Sequence, residues 1–96
     1  MLVLITYDVE TTSAGGKKRL RQVAKQCLNF GQRVQNSVFE CYVDNAQLAE
    51  LRNRLQNIID SEKDSLRIYE LGNKWRNKVE HIGTKPSYDP ESALII

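Results

Sequence analysis

Ninety-six residues, 41% hydrophobic and 27% charged, make one globular domain near the small end of the usual range. The longest apolar runs fall far short of the ~20 residues a bilayer span needs, and a single histidine, His81, excludes any zinc-site spacing. The net charge of +2 hides a segregation: no acid stands between Thr11 and Phe39, where Lys17, Lys18, Arg19, Arg21, Lys25 and Arg33 all fall. A local positive field of this kind attracts polyanions, which points to nucleic acid or phosphate. So small a chain leaves little room for a deep private cleft, so a functional surface shared across a dimer is expected.

Residues 2–9, LVLITYDV, are β-branched and aromatic and too short for a buried helix, so they read as a central strand. The preceding residue adds no basic leader and no cleavage site follows, which makes the start a core strand rather than a signal peptide and the expected location cytoplasmic. Residues 10–16, ETTSAGG, have turn chemistry. Residues 17–30 read as a helix: Leu20, Val23, Ala24, Cys27 and Leu28 make one apolar stripe, and Gly31 is expected to close it as a C-terminal glycine. Its cations crowd the first turn, where the helix dipole disfavours them, and a broken local rule often marks function.

Residues 33–43, RVQNSVFECYV, are extended but apolar on both parities after Ser37, so a bend, bulge or tight turn near Asn36 and Ser37 should split them into two strands. A second helix follows over 45–60, with Leu48, Leu51, Leu55, Ile58 and Ile59 as its stripe and Asp44 with Gln47 as a capping box. Residues 65–71, SLRIYEL, form a last strand ended by Gly72-Asn73. The order βαββαβ predicts an α+β, ferredoxin-like fold over residues 1–73: an antiparallel sheet with two helices on one face. Residues 74–96 read as a tail. VEHI at 79–82 is a short extra strand, Trp75 follows an exposed turn and either stays exposed or packs under the tail, Pro86 and Pro90 break the chain, and the apolar end ALII is expected to dock on a second subunit. Cys27 and Cys41 read as buried, reduced thiols.

The fold alone settles no chemistry. Gly15-Gly16-Lys17-Lys18 lacks the earlier glycine and the hydroxyl residue of a phosphate-binding P-loop. No Ser–His or Cys–His arrangement is convincing with the one histidine far along the tail, and the aromatic RNA-recognition signature is absent. Asp8 remains, a carboxylate at the end of an apolar strand. Two roles stay open for it. It accepts backbone N–H groups or pairs with an arginine, or it ligates Mg²⁺ or Mn²⁺, with two copies across a twofold supplying the pair of carboxylates.

The segments MLVLITYDV, GGKKRLRQVAKQC, GQRVQNSVFEC, DSLRIYELG and KVEHIG, in that order over essentially the whole chain, resemble the CRISPR-associated Cas-two family, the small partner of the spacer-acquisition integrase. The resemblance implies a homodimer whose sheets face each other and whose C-terminal strands exchange. It implies a metal-dependent endonuclease acting on double-stranded DNA or single-stranded RNA, with Asp8 as the Mg²⁺ or Mn²⁺ ligand. The family's neighbouring aromatic falls on Tyr7, its basic positions on Arg19, Arg21 and Arg33, and its strand-motif serine and phenylalanine on Ser37 and Phe39, with Tyr7, Arg33, Ser37 and Phe39 expected in catalysis beside Asp8. It also implies an adaptor role, in which the dimer bridges integrase subunits and lies along duplex DNA. Lys17, Lys18, Arg19, Arg21 and Lys25 suit the phosphates, and residues 79–96 suit the integrase. Catalysis is not needed for that second role. An mRNA-cleaving toxin on the same fold shares the Asp8 chemistry. From the residues alone Phe39 reads more readily as core than as contact, and His81 as structural. No membrane partner is expected.

Overall fold

The computed structural model describes residues 1–83. Its elements are β1 (Leu2–Asp8), α1 (Ala14–Leu28), β2 (Gly31–Gln35), β3 (Val38–Tyr42), α2 (Asn45–Ile58), β4 (Ser65–Gly72) and a single 3₁₀ turn over Trp75–Asn77. The strands form one sheet in the order β2-β3-β1-β4, with every neighbouring pair antiparallel. This is the ferredoxin-like α+β arrangement expected from the element order. Val3, Ile5, Tyr7, Phe39 and Cys41 from the sheet share one buried cluster with Val23 and Cys27 of α1 and Leu48, Leu51 and Leu55 of α2. Both helices therefore cover the same face of the sheet, each burying its one apolar stripe against these side chains.

The split of residues 33–43 falls at Asn36-Ser37 as the parity change requires. The ladder also shifts register between Arg33 and Gln35. Among the described residues no non-glycine has positive φ, so the primed two-residue turns are closed to this hairpin, and a bulge adjusts the register instead. The capping box of α2 is present: Gln47 N–H donates to Asp44 Oδ1 at 2.7 Å, and Asp44 N–H to Gln47 Oε1 at 3.0 Å.

Several expectations are corrected. Helix α1 begins at Ala14 rather than Lys17, because Ser13 caps it, its hydroxyl accepting from Gly16 N–H at 3.0 Å. Gly31 does not close α1. Asn29 is the C-cap in ordinary helical geometry, and Gly31 opens β2, where an added Cβ would lie 2.1 Å from the Glu40 carbonyl oxygen. Its role is close strand approach. Leu28, placed on the apolar stripe, is largely exposed. Of the two places open to Trp75 the structure takes the buried one, packed edge-on against Tyr42 with ring centroids 6.5 Å apart and with the Arg76 guanidinium 4.6 Å over its ring. Residues 79–82 form no strand within one chain. Gly72, at φ +78°, turns the backbone out of β4, and Ile82 is left 84% exposed. Pro86, Pro90, the ALII end and the expected docking of the tail lie outside the described residues.

Candidate nucleic-acid and metal site

The site grows from the end of β1. Strand alternation sends Tyr7 into the helix-covered core and Asp8 to the opposite face. Strand β3 pairs with β1 only as far as Thr6, so Asp8 is held by β4 alone, opposite Ser65. Asp8 is exposed, and among the described residues its carboxylate has no hydrogen bond or ion pair. A charged acceptor with no partner of its own is available to a cation or to water.

Tyr7 anchors the next residue back. Its ring stacks on Phe39 at 6.1 Å, its backbone N–H donates to the Ser37 carbonyl at 3.1 Å, and its hydroxyl points to the Asn36 carbonyl at 3.5 Å. Burial raises the Tyr7 phenol above its ordinary value, with the nearby Arg33 guanidinium working against that rise. Arg33 lies over the Phe39 ring at 5.1 Å. Phe39 is fully buried, so its part is to support Tyr7 and Arg33.

An open hollow of about 400 Å³ lies between α1 and the β2–β3 turn, lined by Tyr7, Leu20, Arg21, Ala24, Arg33, Asn36 and Ser37. The structure thus brings together Tyr7, Arg33 and Ser37 with one helix cation, Arg21. Asp8 is not part of this lining; it follows Tyr7 in the chain, and its side chain leaves the other face of the sheet. Lys17, Lys18, Arg21 and Lys25 are exposed and form no ion pair among the described residues.

Arg19 is placed differently. It turns back toward the sheet end, its Nε donating to Asp64 Oδ2 at 2.7 Å and its Nη2 to Asp64 Oδ1 at 3.3 Å, with Glu10 Oε2 3.5 Å away. Sequence reasoning misses Asp64: it lies 45 positions from Arg19, and no local pattern links them. Its side chain is 0% exposed, which makes its satisfaction obligatory. Besides Arg19 it accepts from the backbone N–H of Glu10 at 3.0 Å and of Asp60 at 2.9 Å. Arg19 first, then those N–H groups, hold its carboxyl at about 2. Glu10 sits likewise at about 2, held there chiefly by the Thr12 hydroxyl, then by Ser13 and the backbone N–H groups of both.

Among the described residues no three His, Cys, Asp or Glu side chains gather to hold a metal ion. One chain offers a single free carboxylate at this strand end, Asp8. That donor fits Mg²⁺ or Mn²⁺ in type, since such ions take one or two carboxylates and keep water and phosphate oxygens. A second copy of Asp8 would complete a pair.

A family model for CRISPR associated protein Cas2 matches residues 1–79. The chain belongs to that family. It is 68% identical to a CRISPR-associated endonuclease Cas2 of Halalkalibacterium halodurans over 99% of both chains. It is 62% identical to a CRISPR-associated endoribonuclease Cas2 of Nitratidesulfovibrio vulgaris, over 100% of this chain and 94% of that one. The crystal structure of Streptococcus pyogenes Cas2 superposes with a TM-score of 0.76 at 54% identity, covering 86% of this chain and 100% of that one. The resemblance carried by the Tyr-Asp strand end, the basic helix and the QNSVFE strand therefore holds over the Cas2 family match. Among the described residues no helix is long and apolar enough to cross a membrane.

Proposed function

We propose that this Cas2-family chain is a CRISPR nuclease that hydrolyses phosphodiester bonds in double-stranded DNA or single-stranded RNA, working as a homodimer with Asp8 of each copy at the reacting centre. The observation that carries this reading is the free, exposed Asp8 carboxylate at the β1 end, next in the chain to Tyr7, which lines a hollow together with Arg21 and Arg33. The names of its relatives, endonuclease and endoribonuclease, favour the same chemistry. Asp8 and its mate would hold Mg²⁺ or Mn²⁺, which when bound supplies Lewis acidity and lowers the pKa of water. Arg21 and Arg33 offset phosphate charge, as preorganised guanidiniums do where negative charge develops. Ser37 and Asn36 at the turn offer polar contacts to sugar or phosphate oxygens, and the Phe39–Tyr7 stack keeps Arg33 in place. Two carboxylates brought together repel, so metal occupancy rises with pH.

The test runs wild type and Asp8→Asn in parallel on labelled double-stranded DNA and single-stranded RNA, with Mg²⁺, Mn²⁺ or EDTA. Metal-dependent cleavage that vanishes in the variant is the expected result. Cleavage that persists in Asp8→Asn sinks the assignment.

The free row Lys17, Lys18, Arg21 and Lys25 favours a second role, an adaptor that holds duplex DNA and bridges integrase subunits during spacer acquisition. If a dimer neutralises about six phosphates, log K falls with log salt at a slope of about −5. Binding indifferent to salt would count against it.

A further inference from the structure

The basic helix spends one of its cations inward, and the place where it does so is the exit of β1. Asp64 and Ser65 are consecutive. Ser65 pairs with Asp8 in the β1–β4 ladder, and Asp64 takes the backbone N–H of Glu10, two residues beyond Asp8. The same carboxylate takes the backbone N–H of Asp60 and two guanidinium N–H groups of Arg19. Four donors converge on one group with no exposed surface, and they come from the β1–α1 loop, helix α1 and the α2–β4 loop. Asp8 lacks a β3 partner; the buried Tyr7 and Val9 flank it, and on the side away from β3 its backbone is held by the Ser65 pairing and this knot.

We propose that Arg19 is a positioning residue rather than a phosphate contact: locked onto Asp64, it clamps the exit of β1 and so sets where Asp8 presents its carboxylate. The proposal rests on Asp8 as the reacting centre, adds Asp64 to that site, and gives Arg19 a role there in which it touches neither phosphate nor metal. A guanidinium already spent on a buried carboxylate in a fork geometry cannot turn to solvent without leaving that carboxylate unpaired, which is costly.

The experiment compares full-length Arg19→Gln, Arg19→Lys, Asp64→Asn and the Arg19→Gln/Asp64→Asn double variant with Arg21→Gln, at a temperature where circular dichroism shows each one folded. A clamp predicts that Arg19→Gln and Asp64→Asn each lower kcat about 10- to 100-fold with KM for duplex unchanged, the scale of a 1 Å misplacement. The double variant falls no further than either single one. Arg19→Lys is as impaired as Arg19→Gln, because an ammonium lacks the fork, whereas a phosphate contact would survive that change. The salt slope of duplex binding stays at its wild-type value in both Arg19 variants, while Arg21→Gln flattens it by about 0.9 for each phosphate left without its cation. A flattened slope in Arg19→Gln, or wild-type kcat in Arg19→Lys, overturns the proposal. If the wild type does not cleave, the nuclease reading fails, and the salt slopes still judge the clamp. Falls in Tm that simply add in the double variant overturn it whatever the activity, since two partners in one bond must couple.

Discussion

Gly15 and Gly16 are neighbours in the first turn of α1, and replacing each by alanine should move stability in opposite directions. Helix propensity alone favours both changes by up to about 1 kcal/mol. A Cβ on Gly15 would meet the end of the Arg19 side chain at 3.5 Å, an ordinary contact. A Cβ on Gly16 would lie 1.8 Å from the Glu10 carbonyl oxygen and 2.8 Å from its carbon, both backbone atoms. Helix and loop must then part by about 1.5 Å to restore a normal separation. Overpacking of this kind costs about 1–3 kcal/mol. The same displacement pulls Glu10 N–H from Asp64, a hydrogen bond to a charged acceptor worth about 1.5–3 kcal/mol. Less the propensity gain, Gly16→Ala should lose about 1.5–5 kcal/mol, while Gly15→Ala gains up to about 1. At about 4–8 °C per kcal/mol, Gly16→Ala should melt at least about 6 °C below wild type and Gly15→Ala at or above it. Melting curves at one protein concentration read this directly, the concentration being held because any self-association would shift Tm. Gly16→Ala melting level with Gly15→Ala would refute the close approach of α1 to the β1 exit, and with it the geometry assigned to Asp64.

The remaining predictions are briefer. Glu10 and Asp64 are both held at about 2, below their ordinary values of 4.5 and 3.8, so the stability they add is complete above that ordinary range. It is lost as pH falls toward about 2, and denaturant midpoints measured down that interval should drop less steeply in Asp64→Asn than in wild type. Burial pushes both thiols to about 12, so neither Cys27 nor Cys41 should react with a thiol reagent at about pH 8 until the chain unfolds. Equal native and denatured labelling rates would contradict that. Leu51 is fully buried between the helices and the sheet, and Leu51→Ala should cost about 2–5 kcal/mol by denaturant unfolding. A loss below about 1 kcal/mol would mean the core collapses around the gap.

Much of this protein is written in local patterns. The two helical stripes, the parity change at Asn36-Ser37 and the Asp44/Gln47 box each state their element within a few residues, and the element order then leaves one compact arrangement. The exposed carboxylate of Asp8 and the row of free lysines are legible for the same reason, since a polar residue at the end of an apolar run has nowhere else to go. Even so, local pattern misplaces details that depend on neighbours. Gly31 has the composition of a helix stop, but its glycine is required by the Glu40 backbone across the β2–β3 ladder. Trp75 follows a turn signal yet is buried, because Tyr42 offers it an apolar edge.

The sharpest divide runs through the cations. Sequence by itself determines that six of them stand without an acid between Thr11 and Phe39, and that one side of α1 is basic. Only tertiary structure decides that Arg19 differs from Lys18 and Arg21 beside it. The chain must close the βαββαβ fold before Asp64, 45 residues on, comes within 2.7 Å of the Arg19 guanidinium. A buried carboxylate demands partners, and the fold, not the spacing, selects which arginine answers it.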